Sequence, residues 1–182
     1  MKSCIIAGNG PSLAKVSNEI LSRYDTFGCN QCWHKFEPTY YVYVDPDHRN
    51  TIAQDFFDAV NAMKSIKFIV DDIADRIDGS VPLNCIHEPE FSYSPLSEIY
   101  TYFSVETAMF QLAYWHGYEN IGLVGMDHRY NTPAGKREYH ELDQDTNHYT
   151  DNYYRGVAEK WIAPDIDKLH SWHEKHKYIF DV

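Results

Sequence analysis

Short apolar runs alternate with helical patterns along most of this chain. The apolar runs predict strands at Cys4–Ala7, Thr26–Cys29, Tyr40–Val44, Ile66–Val70 and Ile121–Val124, the last of them short and buried, with a weaker strand at Asn84–Ile86. Apolar residues recur with a helical period in Leu13–Arg23, Thr51–Met63 and Tyr102–His116, and the tail of the chain has helical patterns that are broken at Pro164. Strands that alternate with helices predict an α/β fold with a mostly parallel sheet flanked by helices.

The first strand runs into a turn of small residues, Gly8-Asn9-Gly10-Pro11-Ser12. The glycines allow a close approach to the backbone, and Pro11 suits the first turn of a helix. Because a helix N-terminus offers unpaired N–H groups, the turn is a candidate anion site. The turn is neither a dinucleotide fingerprint nor a Walker P-loop, since a third glycine and a Gly-Lys-Ser/Thr triplet are both missing. An ordinary strand-to-helix turn remains the alternative.

Three more predicted strands end in polar residues that could face the same ligand. Asn30 follows the second strand, Asp45 the third, and Asp127 the strand at Ile121–Val124. The carboxyl ends of parallel strands meet at one edge of a sheet, where α/β proteins bind ligands. We therefore expect these residues to line one crevice with the first turn.

A polar stretch at Asp127–Tyr149 is predicted to be a lid without regular structure, because Leu142 is its only leucine, isoleucine or valine. His148 near its end is the candidate for acid–base chemistry, since histidine titrates near neutral pH. A histidine without a chemical role is the alternative. By contrast, the predicted helix near the end of the chain has His170, His173 and His176 on one face, which we expect to be solvated. The helix at Tyr102–His116 is predicted to be largely buried, with Glu106 as its one charge.

Composition limits the function classes. A length of 182 residues predicts one Rossmann-like domain over residues 1–182, and a net charge of −11 without a basic run argues against nucleic acid. No run of residues is apolar and long enough to span a membrane, and we expect a cytoplasmic protein.

Two local patterns leave alternatives open. Cys29 and Cys32 have the spacing of redox or zinc sites, but reduced core thiols have the same appearance, since no second such pair follows. Asp45 and Asp47, with His48, could hold Mg²⁺ or Mn²⁺ through hard oxygen ligands, or form an ordinary turn.

The motifs and their order resemble those of the bacterial sialyltransferases of glycosyltransferase family 42. The resemblance is carried by Ile5–Leu13, by Cys29-Asn30-Gln31, by Gly117-Tyr118 before Gly125-Met126-Asp127, and by His148-Tyr149. It implies a metal-free, inverting transfer of a sugar from a nucleotide donor, with a CMP-sugar favoured, to a hydroxyl acceptor. The family assembles as tetramers, so a homo-oligomer is compatible with the resemblance.

The resemblance also implies roles for individual residues. His148 would be the general base, and Tyr130, Tyr139 and Tyr149 with Arg129 would serve the lid and the leaving phosphate. The implied nucleotide contacts, together with the strand-exit aspartates, are Gly8, Asn9, Gly10, Ser12, Asn30, Asp45, Ser104 and Asp127.

Asp45 stands where the sialyltransferases have an asparagine. A second group of proteins has the same opening turn, and a carboxylate at this position suits the chemistry of that group. That group is similar to the 6-hydroxymethylpterin pyrophosphokinase-like and flagellin-modification accessory proteins. It implies a Mg²⁺-dependent phosphoryl transfer in which Asp45, Asp47 and Asp127 hold the ion. A nucleotide-binding module without catalysis is the third alternative.

Overall fold

A six-stranded, all-parallel sheet organises the protein, as the alternation of strands and helices predicts. The computed structural model describes residues 1–45, 52–102, 104–128, 137–139, 148–150, 160–162 and 166–179. The strands stand in the order β5-β4-β3-β2-β1-β8. They are β1 (Ser3–Ala7), β2 (Asp25–Cys29), β3 (Tyr40–Tyr43), β4 (Ile66–Val70), β5 (Val81–Leu83) and β8 (Asn120–Val124).

Helices cover both faces of this sheet, so the central strands are apolar on both sides. One face packs against α4 (Val105–Trp115) and α5 (Ile166–His176), and the other faces α1 (Asn18–Leu21), α2 (Gln54–Ala62) and α3 (Asp71–Ala74). Alternate residues of β3 show the period of two, because Tyr40 and Val42 join the α4 side while Tyr41 joins the α2 side. The α/β class predicted from the sequence is confirmed.

Two predicted elements are wrong in detail. The helix expected at Leu13–Arg23 is split into a 3-10 turn at Pro11–Lys15 and the short α1, because Val16 ends the first piece in an extended conformation and Ser17 caps the second with its hydroxyl. The fifth strand of the main sheet is β5 and not Asn84–Ile86. The residues Cys85–Ile86 form β6, which pairs with β7 (Ile99–Tyr100) in a separate two-stranded sheet.

The strand expected to be buried at Ile121–Val124 is instead at an edge of the main sheet. Among the described strands, β8 pairs only with β1, and the side chain of Leu123 is 47% exposed. An apolar run therefore identified the strand but did not determine its position, since a period of two and a short apolar run occur in both central and edge strands.

The polar stretch after β8 is not devoid of regular structure. Arg137–Tyr139 forms β9, which pairs antiparallel with β10 at Lys160–Ile162. The expected lid therefore contains a strand, and its partner lies in the tail where only helical patterns were expected. Residues 129–136 and 140–147 lie outside the described part of the chain.

A buried glutamine in α4 fixes the loop between β6 and α4. The side-chain oxygen of Gln111 accepts hydrogen bonds from the backbone N–H groups of Ser92 and Tyr100, at 2.9 and 3.1 Å. Its amide nitrogen donates to the carbonyls of Tyr100 and Thr107, both at 2.7 Å. This single side chain thus satisfies polar backbone groups that the loop would otherwise bury.

None of the helices in the described ranges has the length and apolar character needed to cross a membrane.

Candidate functional site

The loops that follow β1 and β8 meet at the carboxyl edge of the sheet. Gly8 donates its N–H to the carbonyl of Val124 at 2.9 Å, and Gly10 donates to the carbonyl of Gly125 at 2.8 Å. A Cβ on Gly8 would lie 2.6 Å from the Gly125 oxygen and 2.7 Å from the Met126 sulfur. The glycines of the first turn are therefore required by the packing of two loops, a reason that the sequence pattern did not reveal.

Asp127 caps the turn that the sequence identified as an anion site. Its Oδ2 accepts hydrogen bonds from the Ser12 backbone N–H at 3.0 Å and from the Ser12 hydroxyl at 2.9 Å. The same hydroxyl accepts from the N–H of Gly125 at 3.2 Å. A carboxylate of the protein thus already uses the amide that a phosphate would need, in keeping with the preference of helix N-termini for negative charge.

Asn9 joins the exits of β1 and β2. Its side-chain nitrogen donates to the carbonyl of Cys29 at 3.1 Å and lies 3.3 Å from the Cys29 sulfur. The side-chain oxygens of Asn9 and Asn30 are both buried, and neither has a hydrogen-bond partner among the described residues. Asn30 also has a φ of 46°, a conformation that asparagine adopts more readily than most residues. Two acceptors without partners lie at adjacent strand ends.

Tyr149 brings the end of the predicted lid to the same edge. Its backbone N–H donates to the carbonyl of Asn9 at 2.9 Å, and its hydroxyl donates to the carbonyl of Gln31 at 2.8 Å. Burial raises the pKa of the Tyr149 hydroxyl, which therefore stays protonated and can act as a donor. Because His148 precedes Tyr149 directly, the predicted base lies beside the loops after β1 and β2.

Three of the remaining predicted site residues lie in the described part of the chain, and three lie outside it. Asp45 follows β3 and is exposed at this edge, where its charge contributes to raising the pKa of Cys29. Ser104 caps α4, since its hydroxyl accepts from the N–H of Glu106 at 3.2 Å. Tyr139 belongs to β9. Asp47, Arg129 and Tyr130 lie outside the described residues.

A cluster that the sequence did not predict lies next to the loop after β8. Glu106 of α4 is 1% exposed, and its Oε2 lies 2.9 Å from Nε2 of His128. Its Oε1 lies 2.9 Å from Nε2 of His173 of α5. That second approach is short but is not aligned as a hydrogen bond, so neither of its two atoms has a directional partner. Three chain segments therefore converge on one buried carboxylate.

The charge of Glu106 controls the chemistry of this cluster. Burial raises the pKa of Glu106, but the close contacts and positive charge of His128 and His173 outweigh it, so the net effect is a lowered pKa. The hydrogen bond to Glu106 in turn raises the pKa of His128, although burial opposes this. The cluster thus holds a carboxylate that needs a positive partner, because an unpaired buried charge is costly.

The histidines of α5 were assigned to a solvated face, which is wrong for two of them. His176 is 4% exposed, and its Nδ1 lies 2.9 Å from the carbonyl of Trp172, while His173 contacts Glu106. A spacing of three residues identifies one face of a helix but not whether that face is buried. The usable signal was Glu106, the one charge in an otherwise uncharged helix, since buried acids are usually paired.

The cysteines are free thiols in the described structure. Burial raises the pKa of Cys29 to about 12, and burial also raises the pKa of Cys32 well above its usual value. Such thiols carry little thiolate near neutral pH, and thiolate is the reactive and metal-binding form. Of the two interpretations of this pair, the burial of both residues favours reduced core thiols.

Comparisons of the chain with models of protein families, with curated proteins and with solved structures returned no match. The resemblance to the sialyltransferases therefore stays a prediction from the motifs, and so do the roles that it implies.

Proposed function

We propose that the carboxyl edge of the sheet binds a nucleotide-activated sugar and that His148 is the general base for its transfer to a hydroxyl acceptor. The observation that carries the proposal is the contact of Tyr149 with the loops after β1 and β2. It ties the predicted base to the predicted nucleotide site across a separation of more than one hundred residues in the sequence.

The unpartnered oxygens of Asn9 and Asn30 support a nucleotide as the ligand. Each oxygen accepts a hydrogen bond, so it needs an N–H or O–H donor, and the ribose hydroxyls and the exocyclic amine of cytosine are such donors. A phosphate has only acceptors at neutral pH and would not satisfy them. In this proposal Asp127 shapes the turn and keeps the phosphate away from Ser12, because two anions repel each other.

The reaction forms one bond and breaks one. His148 accepts the proton of the acceptor hydroxyl while that oxygen attacks the anomeric carbon. The bond from this carbon to the phosphate oxygen breaks with inversion, and the nucleotide leaves with the bonding electron pair. General-base assistance of this kind contributes about 10²–10⁴ in rate.

The nucleotide is tested by thermal-shift measurements with CMP, UDP, GDP and ATP, each with and without Mg²⁺. We expect CMP to raise the melting temperature without Mg²⁺, because a ligand that binds only the folded state stabilises it by mass action. A response to ATP that needs Mg²⁺ would instead favour phosphoryl transfer, for which the exposed carboxylate of Asp45 at this edge is the supporting observation.

The base is tested by the release of CMP from CMP-sialic acid in the presence of a hydroxyl acceptor. His148→Ala is expected to slow the release by about 10²–10⁴ while leaving the affinity for CMP unchanged. His87→Ala is the matched control, since His87 is exposed and contacts the carbonyl of Thr101. An unchanged rate in His148→Ala would refute the role of the base. CMP binding without any release by the unaltered protein would favour the non-catalytic module.

A further inference from the structure

We propose that Glu106, His128 and His173 form a binding site for Zn²⁺ beside the sheet edge. One ligand atom from each residue lies within 4.8 Å of the other two. A tetrahedral zinc shell with ligands about 2.0–2.1 Å from the ion has its ligand atoms about 3.4 Å apart. Without an ion, the Nε2 atoms of His128 and His173 lie 2.9 Å from the two different oxygens of Glu106, which is closer than that spacing, so side-chain rotations are needed to admit an ion.

The donor set selects the class of ion. Two imidazole nitrogens and one carboxylate suit Zn²⁺ and neighbouring transition metals, whereas Mg²⁺ and Ca²⁺ prefer shells made of oxygen alone. Two histidines and one glutamate also form a known three-residue zinc set that leaves a fourth position for water. The side chains of His128 and His173 are 20% and 28% exposed, which gives the ion a route from solvent.

The contact between Glu106 and His173 is close but is not aligned as a hydrogen bond, which is a second observation in favour of an ion. Oε1 of Glu106 and Nε2 of His173 are both buried, face each other at 2.9 Å, and lack an aligned hydrogen bond. Buried polar atoms in native proteins are nearly always paired. An ion between the two atoms satisfies both of them and neutralises a carboxylate that is 1% exposed.

The surroundings of His128 fit those of a metal ligand. Its second ring nitrogen, Nδ1, lies 3.2 Å from Nε2 of His170. Metal-bound histidines usually donate their other ring N–H to an acceptor, which fixes the orientation of the ring, and here a ring nitrogen of His170 is in that place. The φ of His128 is 48°, in the left-handed region that few residues other than glycine adopt. The backbone is thus bent at the point where the ring enters the cluster.

The site would join three segments that are far apart in the sequence. Glu106 belongs to α4, His128 follows Asp127 in the loop after β8, and His173 belongs to α5. An ion bound here would fasten α5 to the core and hold the loop that carries Asp127. This assignment does not rest on the proposed sugar transfer, and it differs from the Mg²⁺ site considered for Asp45 and Asp47.

The site is tested by binding of Zn²⁺ and Co²⁺ to the whole chain after treatment with a chelator. We expect one tightly bound ion per chain by calorimetry, a visible Co²⁺ spectrum typical of four-coordination, and a rise in melting temperature. His173→Gln and Glu106→Gln should abolish all three effects, whereas His170→Ala should weaken binding by about 10–100-fold. His87→Ala controls for the other histidines and should bind like the unaltered protein.

Circular dichroism of each variant distinguishes loss of the ion from loss of the fold. Anomalous diffraction at the zinc edge from crystals of the unaltered protein gives a measurement that needs no variant. Absence of a bound ion in both experiments, or an unchanged affinity of folded His173→Gln for Zn²⁺, would overturn the assignment. The cluster would then be an ion pair without a metal. Neither experiment involves a nucleotide, so its failure is separate from failure of the proposed transfer.

Discussion

Replacing Asp127 with alanine tests whether this carboxylate holds the first turn of the protein in place. Its Oδ2 accepts two hydrogen bonds from Ser12, and the Ser12 hydroxyl in turn accepts from Gly125. A hydrogen bond to a charged group contributes about 1.5–3 kcal/mol. Because both residues are only partly buried, we expect Asp127→Ala to lower the free energy of unfolding by about 2–4 kcal/mol.

Urea denaturation followed by circular dichroism measures this change directly. For a chain of this length each kcal/mol shifts the melting temperature by about 2–4 °C, so we expect a fall of roughly 5–15 °C. Asp127→Asn keeps an acceptor oxygen and should lose less stability. Asp75→Ala removes an exposed aspartate and should change the stability by less than about 0.5 kcal/mol.

A double-mutant cycle with Ser12→Ala isolates the contact itself. Residues that share hydrogen bonds show coupling free energies of about 0.5–3 kcal/mol, and we expect a value above about 1 kcal/mol here. A loss below about 0.5 kcal/mol in Asp127→Ala, or strictly additive effects of the two substitutions, would refute the reasoning. The turn would then be held by its glycines and backbone hydrogen bonds alone.

Two further outcomes follow from the core. At about pH 8 the thiols of the folded protein should react with a disulfide reagent at least a thousandfold more slowly than those of the protein in concentrated guanidinium chloride. The reason is that burial raises the pKa of Cys4, Cys29 and Cys85 to about 12. Rapid reaction of two thiols in the folded protein would point to a redox pair. Gln111→Leu should lower the free energy of unfolding by about 3–5 kcal/mol, because it leaves one buried and one partly buried N–H group unpaired. Gln54→Leu, at an exposed position of α2, should lower it by about 0.5 kcal/mol or less, and equal losses would contradict this role.

The architecture could be predicted because it depends on local patterns. Runs such as Ile66–Val70 and the helical period after Thr51 appear in the sequence, and parallel pairing follows from their alternation. The errors fall where a pattern is shared by two structures. The sequence did not predict the exposure of Leu123 on an edge strand, because a short apolar run does not show how many neighbours its strand has.

The candidate site shows the same division. The sequence by itself determined that Asn9, Asn30 and Asp127 stand at the carboxyl ends of strands, since each comes one to three residues after an apolar run. It could not determine that Asp127 caps Ser12, or that His173 of α5 meets Glu106 of α4. Those contacts join residues far apart in the chain, and their geometry depends on how the helices pack on the sheet. Only the tertiary structure therefore decided which charges are paired.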